Sequence, residues 1–374
     1  MATSDMIIDN SEEQDIDNSE EQDIPPTRYY ITSYGADYPV DGLVKRIERG
    51  DIIVPNFQRA YVWKIEQASR FIESLLLGLP VPGIFLAKDE NNKLIIIDGQ
   101  QRLRTLESFY KGIFVDDKVF KLSGVAKQFE GVTYKTLLAS DRRMLDDSII
   151  PATIVRQEEP EESDLNQSSI YHIFERLNTG GSKLFPQEIR SCIYYGEFNN
   201  FLDKLNKNEV WQKIFQGKDD VHKPDIGRRM KDQELILRFL ALYLDFDNYK
   251  TSNMKEFLNN FMLKNRNLEQ HSSFDLTLIF TSAIDVIYQS IGIKAFRPRR
   301  GLHAAVFDAI MVGLAKRLKD KGKIQDLNAF SRAYEQLLES EEFREKSINS
   351  RQISDIKNVK ARIDLATEAF MNVV

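Results

Sequence analysis

The sequence predicts an α+β protein, with a mixed α/β N-terminal domain followed by an all-helical C-terminal domain. Between residues 30 and 155, short apolar runs of strand length alternate with helical patterns. From about residue 165 onward, period-3.6 patterns follow one another with no convincing strand among them. Between the two lies "RQEEPEESDLNQSS" (156–169), acidic, polar and interrupted by Pro160, which reads as a junction. A chain of 374 residues with 42% hydrophobic residues is long enough to build two cores.

The first segment, 1–28, stands apart from both domains. Residues 1–26 contain nine acids and no Lys or Arg, so the net charge of -6 hides a mildly basic remainder of +3. The same segment repeats "DNSEEQDI" in tandem at 9–16 and 17–24 and lacks aromatic residues up to residue 28. Such a segment has too little apolar surface to offset its ordering entropy, which predicts disorder. It reads as a solubilising tail, with an acidic decoy for a basic groove as the functional alternative.

The domain at 29–156 is read in order as follows. "DIIVP" (51–55) is a strand closed by Pro55, and "KIEQASRFIESLLLG" places Ile65, Ala68, Ile72, Leu75 and Leu76 at helical spacing before Gly78 and Pro80. "GIFLAK" and "KLIIID" are strands of a hairpin turned at "DENN". A helix follows over 100–111, then strand candidates at 114–122 and 149–155. In the helical domain, 165–374, helices are readable near 166–177, 186–205, 230–245, 253–264, 274–290, 302–318, 325–340 and 353–371.

The turn in "IIIDGQQRLRTLESFY" (95–110) is unusually polar for a link between two buried elements. A capping box would explain part of it, with Asp98 capping the helix and Gln101 reaching back. Arg102 fits that account poorly. On a helical wheel Leu103, Leu106 and Tyr110 define the buried arc, and Arg102 falls between Leu106 and Phe109. An arginine there must satisfy its guanidinium inside the fold or bind something that comes to it. Helical side chains lean toward the N-terminus, so Arg102 aims at a turn whose free N–H groups favour an anion, a phosphate above all. Asp98 beside a polyphosphate then calls for a bridging cation, which suggests Mg²⁺.

Two further islands stand out. In "VPNFQRAYVW" (54–63), Gln58 and Arg59 interrupt an apolar run, as a surface turn or as a second phosphate or nucleic-acid contact. In "FERLNTGGSKLFPQEIR" (174–190), Asn178, Gly180 and Gly181 read as a helix C-terminus, with Pro186 opening the next helix. The paired glycines also allow backbone to approach a ligand, toward which Asn178, Glu188 and Arg190 could turn.

The ordered set "FQRAYVW", "IDGQQRLRTL" and "FERLNTGGSKLFPQEIR" resembles the N-terminal domain of GmrSD-type modification-dependent restriction systems, whose core is similar to the ParB and sulfiredoxin fold. "RMKDQELILRFLA" (229–241) and "RGLHAAVFDAIMVGLA" (300–315) resemble that family's helical segments, so the likeness spans about residues 30–320. The resemblance implies NTP binding and hydrolysis at Asp98, Gly99, Gln100, Gln101 and Arg102, in a protein that defends against foreign DNA by acting on or near it. Two positions depart from the family pattern: Arg104 replaces a small hydroxyl residue, and Ala60 replaces a proline after the Gln-Arg pair. By the wheel Arg104 faces away from Arg102, so its expected effect is on surface charge or DNA contact.

Many relatives cleave DNA with a C-terminal HNH nuclease domain. Here His172, His222, His271 and His303 are scattered, and no HNH signature, Walker A loop or Cys/His zinc cluster is visible. "DDVHKPD" (219–225) reads as a polar loop rather than a metal site. "GRRMK" (227–231) and "RPRRG" (297–301) offer Arg228, Arg229, Arg297, Arg299 and Arg300 for DNA phosphates, or as solvated helix termini. A separate nuclease chain is therefore an expected partner. With one cysteine, Cys192, no membrane-length apolar run and no signal-like start, the expected compartment is the cytoplasm.

Overall fold

In the computed structural model, which describes residues 31–54, 61, 63–88, 92–157, 169–177, 185–220, 230–250, 252–299 and 301–374, the chain forms two compact units, Pro25–Tyr195 and Gly196–Val374. The first unit is built on a mixed sheet of strands β1 (Ile31–Pro39), β2 (Ile52–Ile53), β3 (Ile84–Lys88), β4 (Leu94–Asp98) and β5 (Ile149–Gln157), in the order β1-β5-β3-β4-β2. β1 runs antiparallel to β5, β5 parallel to β3, β3 antiparallel to β4, and β4 parallel to β2.

The alternation of side chains along the strands explains why this sheet is covered on both faces. Ile84 and Leu86 of β3, Leu94 and Ile96 of β4, and Ile150, Ala152 and Ile154 of β5 share one core with helices α1 (Val40–Glu48), α2 (Ile65–Leu76) and α3 (Gln100–Lys111). The intervening Ala87, Ile97 and Val155 pack with Tyr171 and Phe174 of α5 (Ser169–Leu177) and Ile189 and Cys192 of α6 (Pro186–Ile193). A strand buried on both faces reads as a continuous apolar run, as "LIIID" does. The sheet unit therefore extends to Tyr195 instead of stopping near 156, because α5 and α6 cover its second face.

Other expectations are corrected in detail. Residues 114–122 are not a strand: they hold a 3-10 turn, Val115–Asp117, and a single bridge between Ile113 and Val119. The sequence reading missed β1, α1 and α4 (Ala139–Asp147). The single helix expected at 186–205 is two, α6 and α7 (Glu197–Asn206), divided at Gly196, whose added Cβ would sit 2.5 Å from the Arg266 carbonyl oxygen.

The described residues of Gly196–Val374 carry helices and no strand, as the periodicity predicts. After α7 come α8 (Glu209–Gln216), α9 (Lys231–Leu244), α10 (Met254–Lys264), α11 (Ser273–Ser290), α12 (Ala304–Lys321), α13 (Leu327–Glu339), α14 (Glu341–Ser347) and α15 (Ile356–Met371). The sequence reading missed the short α8, opened by Asn208 accepting from the Trp211 N–H, and α14. Buried Asp308 on α12 accepts from Arg238 Nε on α9 at 3.1 Å and from Arg362 Nη2 on α15 at 3.2 Å, tying three helices together. A Cβ on Gly313 would stand 2.8 Å from the Ala366 carbonyl carbon, so its absence permits the close approach of α12 and α15.

If α5 belongs to the sheet unit, Phe174→Ala removes a fully buried ring and should destabilise that unit by about 3–5 kcal/mol. Chemical denaturation followed by tryptophan fluorescence checks this, and a shift under about 1 kcal/mol would detach α5 from the core.

Candidate functional site

β4 ends at Asp98 because the chain reverses there in one residue. Gly99 has φ 99° and ψ 11°, in the left-handed region that disfavours every side chain. It precedes the first residue of α3, and a Cβ on it would come within 2.4 Å of Ile84 Cγ2 and 3.2 Å of Arg102 Nη2. The motif's glycine is thus needed both for its dihedral and for the space between β3 and Arg102.

The expected capping box does not form. Gly99 takes the cap position, so no side chain caps α3. Asp98, one residue too early, instead accepts from Arg102 Nη2 at 2.9 Å. Gln101 turns the other way, its Oε1 accepting from the Trp63 N–H at 3.4 Å. That bond ties the first island to α3, together with Tyr61, whose hydroxyl lies 2.7 Å from Thr105 Oγ1. Thr105 donates to the Gln101 carbonyl, which leaves Tyr61 as the donor. Burial pushes the Tyr61 phenol up to about 12, so it holds its proton. Gln58, Arg59 and Ala60 lie outside the described residues.

Arg102 is placed between the alternatives the sequence left open. Its side chain is 14% exposed, against 47% for Asp98, and the ion pair satisfies one edge of the guanidinium. Its Nε is buried and has no hydrogen-bond partner among the described residues. An unmet donor on a nearly buried cation costs free energy, which a ligand could recover. Gln100 occupies the first turn, half-buried. Arg104 departs from expectation: it is half-buried rather than a surface charge, and burial pushes its guanidinium below the usual value.

Asp98 and Arg102 form one end of a cleft of about 610 Å³. Its other walls come from Gly35, Ala36 and Asp37 of β1, from 82–85 leading into β3, and from Pro151, Ala152 and Thr153 of β5. Ala36 and Tyr38 pack into the core with α1 to α3, so strand alternation sends Gly35 and Asp37 to the opposite face. None of these β1 and β5 residues was singled out from the sequence. The available signal was the alternation of Tyr34, Ala36 and Tyr38 in "ITSYGADYP", which Gly35 and Pro39 disguise as a turn.

The third island serves the fold more than the cleft. Pro186 opens α6 as expected, and Glu188 accepts from the Phe185 N–H at 2.7 Å, capping the helix. Arg190 is 1% exposed, donating to Gln187 Oε1 at 3.3 Å and lying over the Tyr171 ring at 5.9 Å. Glu188 and Arg190 are therefore held in the interior, away from the cleft-lining set. Asn178, Gly180 and Gly181 lie outside the described residues.

Of the basic clusters, Arg228, Arg229 and Arg300 lie outside the described residues, as do His222 and Asp225. Arg297 donates to the carbonyls of Phe215 at 2.7 Å, Ile293 at 2.9 Å and Ala295 at 3.1 Å, tying the end of α8 to the stretch 293–297. Arg299 is exposed and donates to Asn349 Oδ1 at 3.2 Å. Among the described residues no three His, Cys, Asp or Glu cluster as a metal site. No helix of the described residues is long and apolar enough to cross a membrane.

Residues 40–195 match the family model described as GmrSD restriction endonuclease, N-terminal domain, so this part of the chain is similar to that restriction family. The match ends at the last residue of the sheet unit and begins one residue after β1. No curated protein and no solved structure matches the chain.

The geometry at Gly99 generates a direct test. Gly99→Ala should destabilise the sheet unit by about 1–3 kcal/mol, from left-handed strain and the Ile84 clash together. A thermal or urea transition measures it, and an unchanged midpoint would remove the steric role assigned to Gly99.

Proposed function

We propose that the β4–α3 end of the cleft binds the phosphates of a nucleoside triphosphate, and that the protein hydrolyses it with Mg²⁺ as part of a restriction system acting on or near DNA. The single observation that carries this reading is the Arg102 guanidinium, nearly buried at the N-terminus of α3, with its Nε unmet and its remaining edge held by Asp98. The N-terminus of α3, whose cap residue is a glycine without a side chain, favours an anion at the same turn. The match of residues 40–195 supports the restriction context, and the resemblance at Asp98–Arg102 implies nucleotide hydrolysis.

The donor set fits Mg²⁺ held chiefly by substrate phosphates, since Asp98 is a half-exposed carboxylate at the phosphate end. When bound, the ion would neutralise charge on the transferring phosphoryl group. Arg102 would hold phosphate and Arg59 would neutralise developing charge. Asp98 would serve the metal or an attacking water once phosphate takes over its guanidinium partner. Gln101, which accepts from the Trp63 N–H, would position metal or water together with Asp98. Gln100, Gly99, Asn178, Gly180 and Gly181 complete the proposed nucleotide contacts, and Arg299 with Arg228, Arg229 and Arg300 the proposed DNA contacts.

One observation favours a second reading. Asp98 is engaged by Arg102 at 2.9 Å, so the resting site is better suited to sensing a phosphate than to orienting a water. In that reading the chain is a non-catalytic, nucleotide-gated DNA-binding module that recruits a separate nuclease.

Phosphate release measured over four NTPs, with Mg²⁺ and with or without DNA, separates the two. We expect Arg102→Ala to lower turnover by about 10²–10³-fold, the usual consequence of removing a group that stabilises transferring charge. Wild-type protein that binds NTP and releases no phosphate under any of these conditions would overturn the enzyme reading and leave the gated module.

A further inference from the structure

The cleft has a second end that the phosphate reading leaves unused. Its walls cross four neighbouring strands in the order β1-β5-β3-β4, and the pairing aligns them: Gly35 opposite Thr153, Thr153 opposite Phe85, and Phe85 opposite Asp98. With neighbouring strands about 4.8 Å apart, three steps separate β1 from β4 by about 14 Å. Asp37, in register with Pro151, therefore lies at the far end of the cleft from Asp98 and Arg102. At that separation the two carboxylates do not share one Mg²⁺, whose ligands lie about 2.1 Å from the ion.

The chemistry changes along this length. The β4 end has the Arg102 guanidinium paired with the Asp98 carboxylate. The middle is walled by Phe85, Pro82 and Pro151, flat or rigid apolar surfaces suited to a ring. The β1 end has an exposed carboxylate and, beside it, Gly35, where an added Cβ would meet nothing within 4 Å. An ionised carboxylate only accepts hydrogen bonds, so it repels phosphate and selects N–H or O–H donors.

We propose that the β1 end holds the nucleoside part of the nucleotide and that Asp37 selects it by accepting a hydrogen bond from a ribose hydroxyl or a base N–H. This rests on the phosphate reading of the β4–α3 end and adds its direction: phosphates at α3, sugar and base toward β1. It also assigns a role to a strand that precedes the family-matched residues 40–195, and so makes nucleoside selection a property of this chain's own β1.

The test is equilibrium binding by calorimetry, using the four ribonucleoside triphosphates, their 2′-deoxy counterparts and inorganic tripolyphosphate, each with Mg²⁺. Asp37→Ala should weaken the preferred NTP by about tenfold or more and erase discrimination among bases or between ribose and deoxyribose, while tripolyphosphate binds as to wild type. Gly35→Leu, which the backbone tolerates and which places an isobutyl group at the β1 end, should do the same. Arg102→Ala should weaken NTP and tripolyphosphate alike. If Asp37→Ala and Gly35→Leu bind and discriminate like wild type while Arg102→Ala loses binding, the orientation is wrong and the phosphate site stands. Wild-type protein that binds no NTP overturns both.

Discussion

The reversal of the chain at Gly99 is the constraint on which the site depends. β4 is buried on both faces up to Ile97, and α3 must begin at once if Leu103, Leu106 and Phe109 are to reach the same core. Only a left-handed residue without a Cβ fits between Ile84 and Arg102. With glycine at the cap position, the N-cap residue of α3 has no side chain to cap it, and Asp98 and Arg102 on either side of the turn line the cleft. A structural requirement of the sheet thus sets Arg102 beside Asp98 at the turn.

Charge at this cleft is balanced against, not toward, a phosphate. Arg102 is the one guanidinium among its described lining residues, and Asp37 and Asp98 oppose it. In the absence of a ligand the Asp98 pair keeps a nearly buried cation from standing alone, since an uncompensated buried charge costs several kcal/mol, or about 3–5 by removal of a partner. An incoming phosphate must compete with that carboxylate for Arg102. The cation expected with a nucleotide relieves the competition by drawing Asp98 to itself. Under the proposed nucleotide reading, phosphate, metal and arginine would depend on one another.

The helical unit shows the same economy of polar burial. Asp308 accepts from two arginines while Arg362 also donates to the Ile353 carbonyl, so three helices are fixed by one carboxylate. Burial pushes the Arg362 guanidinium down and the Asp308 charge pushes it back up. Asp232, within the segment that resembles the family's helical region, is similarly buried, its carboxyl raised by burial and met by Asn206 Nδ2 at 2.7 Å.

The sequence by itself determined the fold class of the two parts, mixed α/β then helical, because side-chain periodicity records which faces are buried. "LIIID" could only be a strand, and the 3.6 period beyond 165 could only be helices. It also singled out Arg102, since a cation at the edge of a buried arc stands out on any helical wheel. Tertiary structure alone decided the rest. It assigned α5 and α6 to the sheet unit, because which face of a strand they cover depends on contacts remote in sequence. It turned Gln101 to Trp63, Arg297 to backbone carbonyls and Arg190 into the interior, roles that depend on partners 38, 82 and 19 residues away. And it brought Asp37, some sixty residues before Asp98, into the same cleft through strand register, which no local pattern encodes.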